Sequence, residues 1–299
     1  MSFIDQHVTS TPLLLNACNL SVTYMNEESN SIPAIRGMDL EIHEGEIVGI
    51  LGESGSGKST LAAAIMGLLP SKAHVQGSLR YQDKDLLTLK ESEYRRIRGK
   101  QFALISQEPG LALSPYLCAG AQIQEVLRAH DVRRSSRRER CQQILDDMQF
   151  ADVSRIYHAY PHQLSGGELH RVAVAQALAC HPSLMICDEA TRSLDATIQL
   201  EIIHLLKRIN GELGTAFVFI THNPALLEGF AYRVLVMYRG RIVEQGLVSE
   251  VFRKPGHPYT RSLVDFAFGT TQRNQTGRKR LPITFSEETS EPSCYQHGD

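Results

Sequence analysis

Apolar and polar positions alternate with a period near two over much of the first fifty residues. Leu13–Leu15, Leu20–Tyr24 and Met38–Ile42 each read as strands, and the polar stretch 26–33 between them reads as a turn. Glu46–Leu51 is a short, almost continuous apolar run, the pattern of a buried parallel strand. It feeds a glycine-rich loop and then an apolar helix expected over Ser59–Leu68. From about Leu111 to Leu178 the strand signals fade and helix formers with Arg and Gln take over, as in Gln122–Ala129 and Ser136–Met148. Two β-rich runs follow, Leu184–Cys187 and Ala216–Ile220. Val234–Met237 and Arg241–Val243 then predict a hairpin turning at Arg239-Gly240. Beyond about Thr270 the chain is polar and predicts a loosely ordered tail.

Composition narrows the class. With 299 residues, 42% of them hydrophobic, the chain can bury a real core, which excludes a disordered polymer or a disulfide-dependent miniprotein. A formal net charge of −2 speaks against general affinity for nucleic acid. Six cysteines, at 18, 118, 141, 180, 187 and 294, form no C-x-x-C pair and predict reduced thiols. The first ten residues lack a basic segment followed by an apolar one, and the longest apolar stretch, Leu61–Leu69, is far below the ~18–20 residues of a membrane span. The expectation is a soluble, cytoplasmic protein. The basic cluster Arg133–Arg140 is read as a solvated helix start, and no nucleic-acid partner is expected.

The chemistry begins at Gly52-Glu53-Ser54-Gly55-Ser56-Gly57-Lys58-Ser59, which fits G-x-x-x-x-G-K-[ST]. Such a loop curls so that successive N–H groups point at phosphate oxygens, and the following helix adds its positive end. Lys58 then reaches the β- and γ-phosphates and the Ser59 hydroxyl binds Mg²⁺. The apolar run Leu184–Cys187 ends in Asp188-Glu189. Beside a phosphate loop, the first carboxylate can hold Mg²⁺ and the second can orient and deprotonate an attacking water. Leu164-Ser165-Gly166-Gly167-Glu168, before an apolar helix, is a second phosphate-binding device: a hydroxyl, free N–H groups and a helix N-terminus.

With L-S-G-G-E placed ahead of Asp188, residues 13–265 resemble the nucleotide-binding subunit of an ATP-binding cassette (ABC) transporter. The resemblance implies an α/β fold: a P-loop core, an N-terminal antiparallel β portion and a helical insertion. It divides the chain into a core of 1–108 with 179–250, a helical signature subdomain of 109–178, and a C-terminal extension of 251–299. It implies catalytic roles for Glu189, His222, Gln107 and Lys58. Gln107 matches the glutamine loop, His222 the switch histidine, and Ser193-Leu194-Asp195 the D-loop. Nucleotide contacts are implied for Tyr24, whose ring meets adenine, and for Gly52, Ser54, Gly55, Ser56, Gly57, Lys58, Ser59 and Thr60. Ser165, Gly166, Gly167, Glu168 and Asp195 contribute from the facing side of a head-to-tail dimer, and Ser59, Gln107 and Asp188 are the metal-associated groups.

Leu113-Ser114-Pro115, Tyr160–Leu164 and His257-Pro258-Tyr259-Thr260 are similar to phrases of the oligopeptide, dipeptide and nickel importer branch. That branch implies ATP and Mg²⁺ as cofactors, transmembrane permease subunits, pairing with itself or a sister ATPase, and an extracytoplasmic substrate-binding protein. The ATPase would sit on the inner face of the cell membrane. Only Cys294 lies in the tail, so no iron–sulfur cluster is expected. The sequence departs from the family at Ala190, Arg192 and Ser193, and in the run Glu168-Leu169-His170. The alternative is a soluble ABC-type ATPase acting on nucleic acid or ribosomes.

Overall fold

The computed structural model describes residues 11–25 and 31–269; the expectations for the first ten residues, part of the 26–33 turn and the tail lie outside them. Two sheets form the framework. The first is antiparallel, ordered β2-β1-β4-β5, from β1 (Leu13–Met25), β2 (Ser31–His43), β4 (His74–Tyr81) and β5 (Lys84–Asp85). The second, ordered β10-β9-β3-β8-β7-β6, holds β3 (Ile47–Leu51), β6 (Phe102–Ile105), β7 (Leu184–Asp188), β8 (Ala216–Thr221) and the hairpin β9 (Arg233–Tyr238)/β10 (Arg241–Leu247). Strands β9, β3, β8, β7 and β6 run parallel, and β10 closes one edge antiparallel. Arg239 and Gly240, both at positive φ (47° and 82°), make the predicted hairpin turn, a conformation in which glycine pays no steric penalty.

The central strands are buried on both faces, and their side chains sort with period two. Val48, Ile50, Leu184, Ile186, Val218 and Ile220 enter the core shared with the antiparallel sheet and helix α1 (Lys58–Ile65). Ile47, Leu51, Met185, Cys187, Phe217 and Phe219 enter the core on the opposite face. Each such buried side chain contributes roughly 1.5–3 kcal/mol of transfer free energy.

After α2 (Glu91–Ile97) and β6 comes a segment built only of helices: α3 (Pro109–Ala112), α4 (Ala119–Ala129), α5 (Arg134–Asp147), α6 (Val153–His158) and α7 (Gly166–Leu178), with one short 3-10 turn. Its buried Ile123, Leu127, Cys141, Leu145 and Ile156 join the second core. Helices α8 (Ala196–Leu213), α9 (Val248–Arg253) and α10 (Pro258–Phe268) complete the fold.

Four local expectations differ from the structure. Residues 31–33, read as part of the turn, already pair with β1 as the start of β2. Leu13–Leu15 and Leu20–Tyr24 are one strand, β1, broken in register at Asn19, which takes φ 48° where the pairing to β2 shifts. Helix α1 ends at Ile65 and not Leu68, because Gly67 turns left-handed at φ 62° and the Leu68 N–H closes back on the Ala63 carbonyl. Strands β4 and β6 have no counterpart among the predicted elements.

Candidate functional site

In parallel α/β sheets the crevice beyond the carboxyl ends of the strands is where ligands bind. Here four adjacent strands deliver chemistry to that one edge. Register places Leu51 of β3 opposite Thr221 of β8, Asp188 of β7 opposite Ile220, and Ile105 of β6 opposite Cys187. Immediately past these positions come the loop 52–57, Glu189, His222 and, two residues beyond β6, the exposed Gln107.

The loop after β3 wraps around its own lysine. Lys58, 4% exposed, donates from Nζ to the carbonyls of Gly52 and Glu53, both at 2.7 Å, and lies 3.4 Å from Ser56 Oγ. Burial lowers the Lys58 pKa, and the carboxylates of Glu189, Asp188 and Glu53 oppose that shift. Gly57, at φ 107°, is the N-cap of α1 and offers no side-chain oxygen, so the first-turn N–H groups face the loop uncapped by a side chain. The hairpin props the loop from behind, the Gly240 N–H donating to the Ser56 carbonyl at 2.9 Å. Tyr24, at the end of β1, donates its hydroxyl to Thr60 Oγ1 at 3.2 Å, which brings an aromatic ring beside the start of α1.

Asp188 and Glu189 part company at the end of β7. Burial raises the Asp188 pKa, a hydrogen bond from Ser59 lowers it, and neighbouring Glu189 raises it again. Glu189 turns into the left-handed region at φ 48°, its N–H held by the Ile220 carbonyl at 3.0 Å. A non-glycine residue there is a strained position, and it swings the carboxylate out of the strand direction. That carboxylate meets Arg192 at 2.8 Å and His222 Nδ1 at 3.4 Å.

Ser59 and Asp188 together offer a hydroxyl and a carboxylate, hard oxygen donors suited to Mg²⁺. Among the described residues no three His, Cys, Asp or Glu side chains gather as a metal group. One hydroxyl and one carboxylate are the kind of partial oxygen set that suits a Mg²⁺ completed by phosphate oxygens and water. The five described cysteines are free thiols, and Cys294 lies outside the described residues.

The signature turn is built separately. Ser165 caps α7 by accepting the Glu168 N–H at 3.3 Å, while Glu168 returns a carboxylate oxygen to the Ser165 N–H at 2.9 Å. Glu168 also pairs with Arg155. Gly166 faces open space, and a Cβ at Gly167 would touch Ile198 of α8 at 3.4 Å. Asp195 caps α8, accepting the Thr197 and Ile198 N–H groups at 3.1 Å. Among the described residues these groups meet one another, Arg155 and α8, and do not bond to the loop 52–59.

Two contacts escaped the sequence reading. Arg192 appeared there only as a departure from the family pattern, yet it holds Glu189. Tyr259 appeared only within a C-terminal phrase, yet its hydroxyl accepts the Glu53 N–H at 2.8 Å. The phrase His257–Thr260 was the available signal for the second; no local pattern announces the first.

A phosphate loop, an Asp-Glu strand end and a histidine converging on one parallel-sheet edge define a P-loop nucleotide-hydrolysing domain. The family model for ABC transporters matches residues 35–192, more than half of the chain. The oligopeptide transport ATP-binding protein AppD of Bacillus subtilis is 41% identical over 254 residues, covering 84% of this chain and 77% of that protein. The dipeptide transport ATP-binding protein DppD of Escherichia coli is 41% identical over 253 residues, with the same coverage of 84% and 77%. A dimeric ATP-binding cassette in a post-hydrolysis state, bound to ADP and Pi, superposes with a TM-score of 0.68 at 30% identity, over 79% of this chain and 99% of that one. This chain belongs to the ABC transporter family, and it is an ABC-type ATPase with the fold of a nucleotide-binding cassette.

Proposed function

We propose that this chain is the ATP-hydrolysing subunit of a small-peptide importer, acting with separate permease subunits and an extracytoplasmic binding protein. The observation that carries the chemistry is the convergence of Lys58, Asp188, Glu189 and His222 beyond the carboxyl ends of β3, β7 and β8. The oligopeptide and dipeptide transport roles of AppD and DppD support a peptide cargo and favour this reading over a nucleic-acid or ribosome ATPase. Among the described residues no helix is long and apolar enough to cross a membrane. That agrees with a subunit resting on the inner face of the cell membrane through its partners.

In this reading the first-turn N–H groups of α1 and the loop before it bind the phosphates, and Lys58, held by the Gly52 and Glu53 carbonyls, turns its third N–H to a phosphate oxygen. Ser59 and Asp188 hold Mg²⁺, with Gln107 approaching from β6. When bound, Mg²⁺ neutralises charge on the phosphate oxygens. Glu189 accepts a proton from the attacking water, His222 holds the γ-phosphate, and Tyr24 stacks on adenine. Ser165, Gly166, Gly167, Glu168 and Asp195 act across a head-to-tail dimer, with a second copy or a sister ATPase, on the partner's nucleotide. The division into a core of 1–108 with 179–250, a helical subdomain of 109–178 and an extension from 251 follows the same logic. Among the described residues all strands lie within 13–105 and 184–247, and the span from 109 to 178 carries helices alone.

The test pairs two variants with one purification. Glu189→Gln should bind ATP and hydrolyse it at least about 10²-fold more slowly, and Lys58→Ala should lose nucleotide binding. Near wild-type turnover in the first removes Glu189 as the base. Affinity purification from gently solubilised membranes should bring down two hydrophobic permease subunits. Recovery of ribosomal proteins alone would sink the transport reading and leave the ATPase intact.

A further inference from the structure

The Gly52–Glu53 peptide is gripped from both sides. Its carbonyl oxygen accepts from the Lys58 ammonium at 2.7 Å, and its N–H donates to the Tyr259 hydroxyl at 2.8 Å. A trans peptide points these two groups in opposite directions, so a donor on one side and an acceptor on the other define the orientation of the whole plane. Tyr259 reaches the loop from 206 positions along the chain and is only 5% exposed.

The tyrosine is itself held in place. Its ring packs on Tyr238, at the end of β9, with centroids 4.5 Å apart. Its N–H donates to His257 Nδ1 at 3.1 Å, and Glu244 of β10 accepts the Gly256 and His257 N–H groups at 2.7 and 3.0 Å. The start of α10 is thus tied to the β9–β10 hairpin, and through Tyr259 to the loop.

We propose that Tyr259 is a positioning residue of the nucleotide site: its hydroxyl fixes the plane of the Gly52–Glu53 peptide so that the carbonyl faces Lys58 and the loop is preset for phosphate. The inference rests on Gly52–Ser59 being the nucleotide loop. With the hydroxyl gone, the Glu53 N–H loses its acceptor, and rotation of the plane would turn that N–H toward the ammonium, donor against donor. The loop then has to be ordered at the expense of binding free energy. The hydroxyl touches no reacting atom, so ground state and transition state are weakened alike.

The test is Tyr259→Phe in the full chain, which keeps the ring on Tyr238 and removes only the oxygen. The dissociation constant for the fluorescent analogue MANT-ATP and the KM for ATP should both rise about fivefold, with kcat within about twofold. The melting temperature should stay within about 3 °C, and amide exchange at Glu53 should accelerate. Unchanged MANT-ATP affinity, with or without a lower melting temperature, overturns the proposal. If the variant does not fold, His257→Ala, which removes the acceptor fixing the Tyr259 backbone, should weaken MANT-ATP binding in the same direction; unchanged affinity there overturns it equally. Lys58→Ala is measured alongside. Retained MANT-ATP binding in Lys58→Ala would bring down the loop assignment and the inference with it, whereas loss in Lys58→Ala with no effect in Tyr259→Phe rejects Tyr259 alone.

Discussion

The carboxylate of Glu189 is paired with the guanidinium of Arg192 at 2.8 Å, three residues along the chain. In the proposed role of Glu189 as base, this partner stabilises the charged carboxylate and so weakens its pull on a water proton. Arg192 is about half exposed, with a side-chain accessibility of 49%, so the pair is worth no more than about 1 kcal/mol after solvent screening. Arg192→Thr should therefore raise kcat by at most about fivefold and leave the KM for ATP unchanged. Added salt should raise wild-type turnover relative to the variant, because screening loosens the same contact. A fall in kcat in Arg192→Thr would show that the arginine aims the carboxylate instead of detaining it.

His170 lies on α7, two residues after the signature turn, and is 2% exposed with a buried Nε2 that meets no hydrogen-bond partner among the described residues. Burial pushes its pKa down to about 4 from an ordinary value near 6.5. The folded protein thus keeps the ring neutral while the unfolded chain protonates it. The stability linked to this group is complete above about pH 6.5, declines as the pH falls, and stops declining below about pH 4. Its span is on the order of 3 kcal/mol. His170→Gln, which cannot charge, should lose less stability than wild type between pH 6.5 and 4.5 in urea unfolding. Parallel curves for the two proteins would mean that the buried ring is not what titrates.

The elements legible in the sequence were those whose pattern is dictated by burial alone. β3, β7 and β8 are buried on both faces and read as continuous apolar runs, and the β9–β10 hairpin announced itself through Arg239-Gly240. β4 hid because its burial is lopsided: only Leu79 and Tyr81 are fully covered, and Gly77 interrupts it. β6 is four residues long, too short for a period to register. The site divides the same way. Lys58, Ser59 and Asp188 sit in local motifs whose spacing suits phosphate and metal binding, whereas His222 was legible only through the family resemblance. Tyr259 and Arg192 make contacts set by the fold, one across 206 positions and the other through the left-handed turn at Glu189; the phrase His257–Thr260 marks the first without its partner, and nothing local marks the second.

Gly57 shows how little freedom the loop has where it becomes a helix. At φ 107° and ψ 0° the residue occupies a conformation that side chains with a Cβ rarely adopt. A Cβ built there would also press on the Ala34 carbonyl oxygen of β2 and approach Met237 Cε at 3.2 Å. The Met237 methyl ends a flexible side chain and needs to shift only slightly, but Ala34 is strand backbone and cannot yield cheaply. Gly57→Ala should therefore cost on the order of 2–4 kcal/mol in unfolding free energy, from strain and clash together. It should also abolish nucleotide binding at concentrations that saturate wild type, because relief of the clash tilts the first turn of α1 and the N–H groups it presents. Gly55→Ala is the control: its φ of 84° carries the backbone strain, but its Cβ would meet nothing within 4 Å. If the two variants lose equal stability, the approach of Ala34 contributes nothing and backbone strain alone explains the glycine. A larger loss at Gly57 assigns the difference to the contact between the phosphate loop and β2.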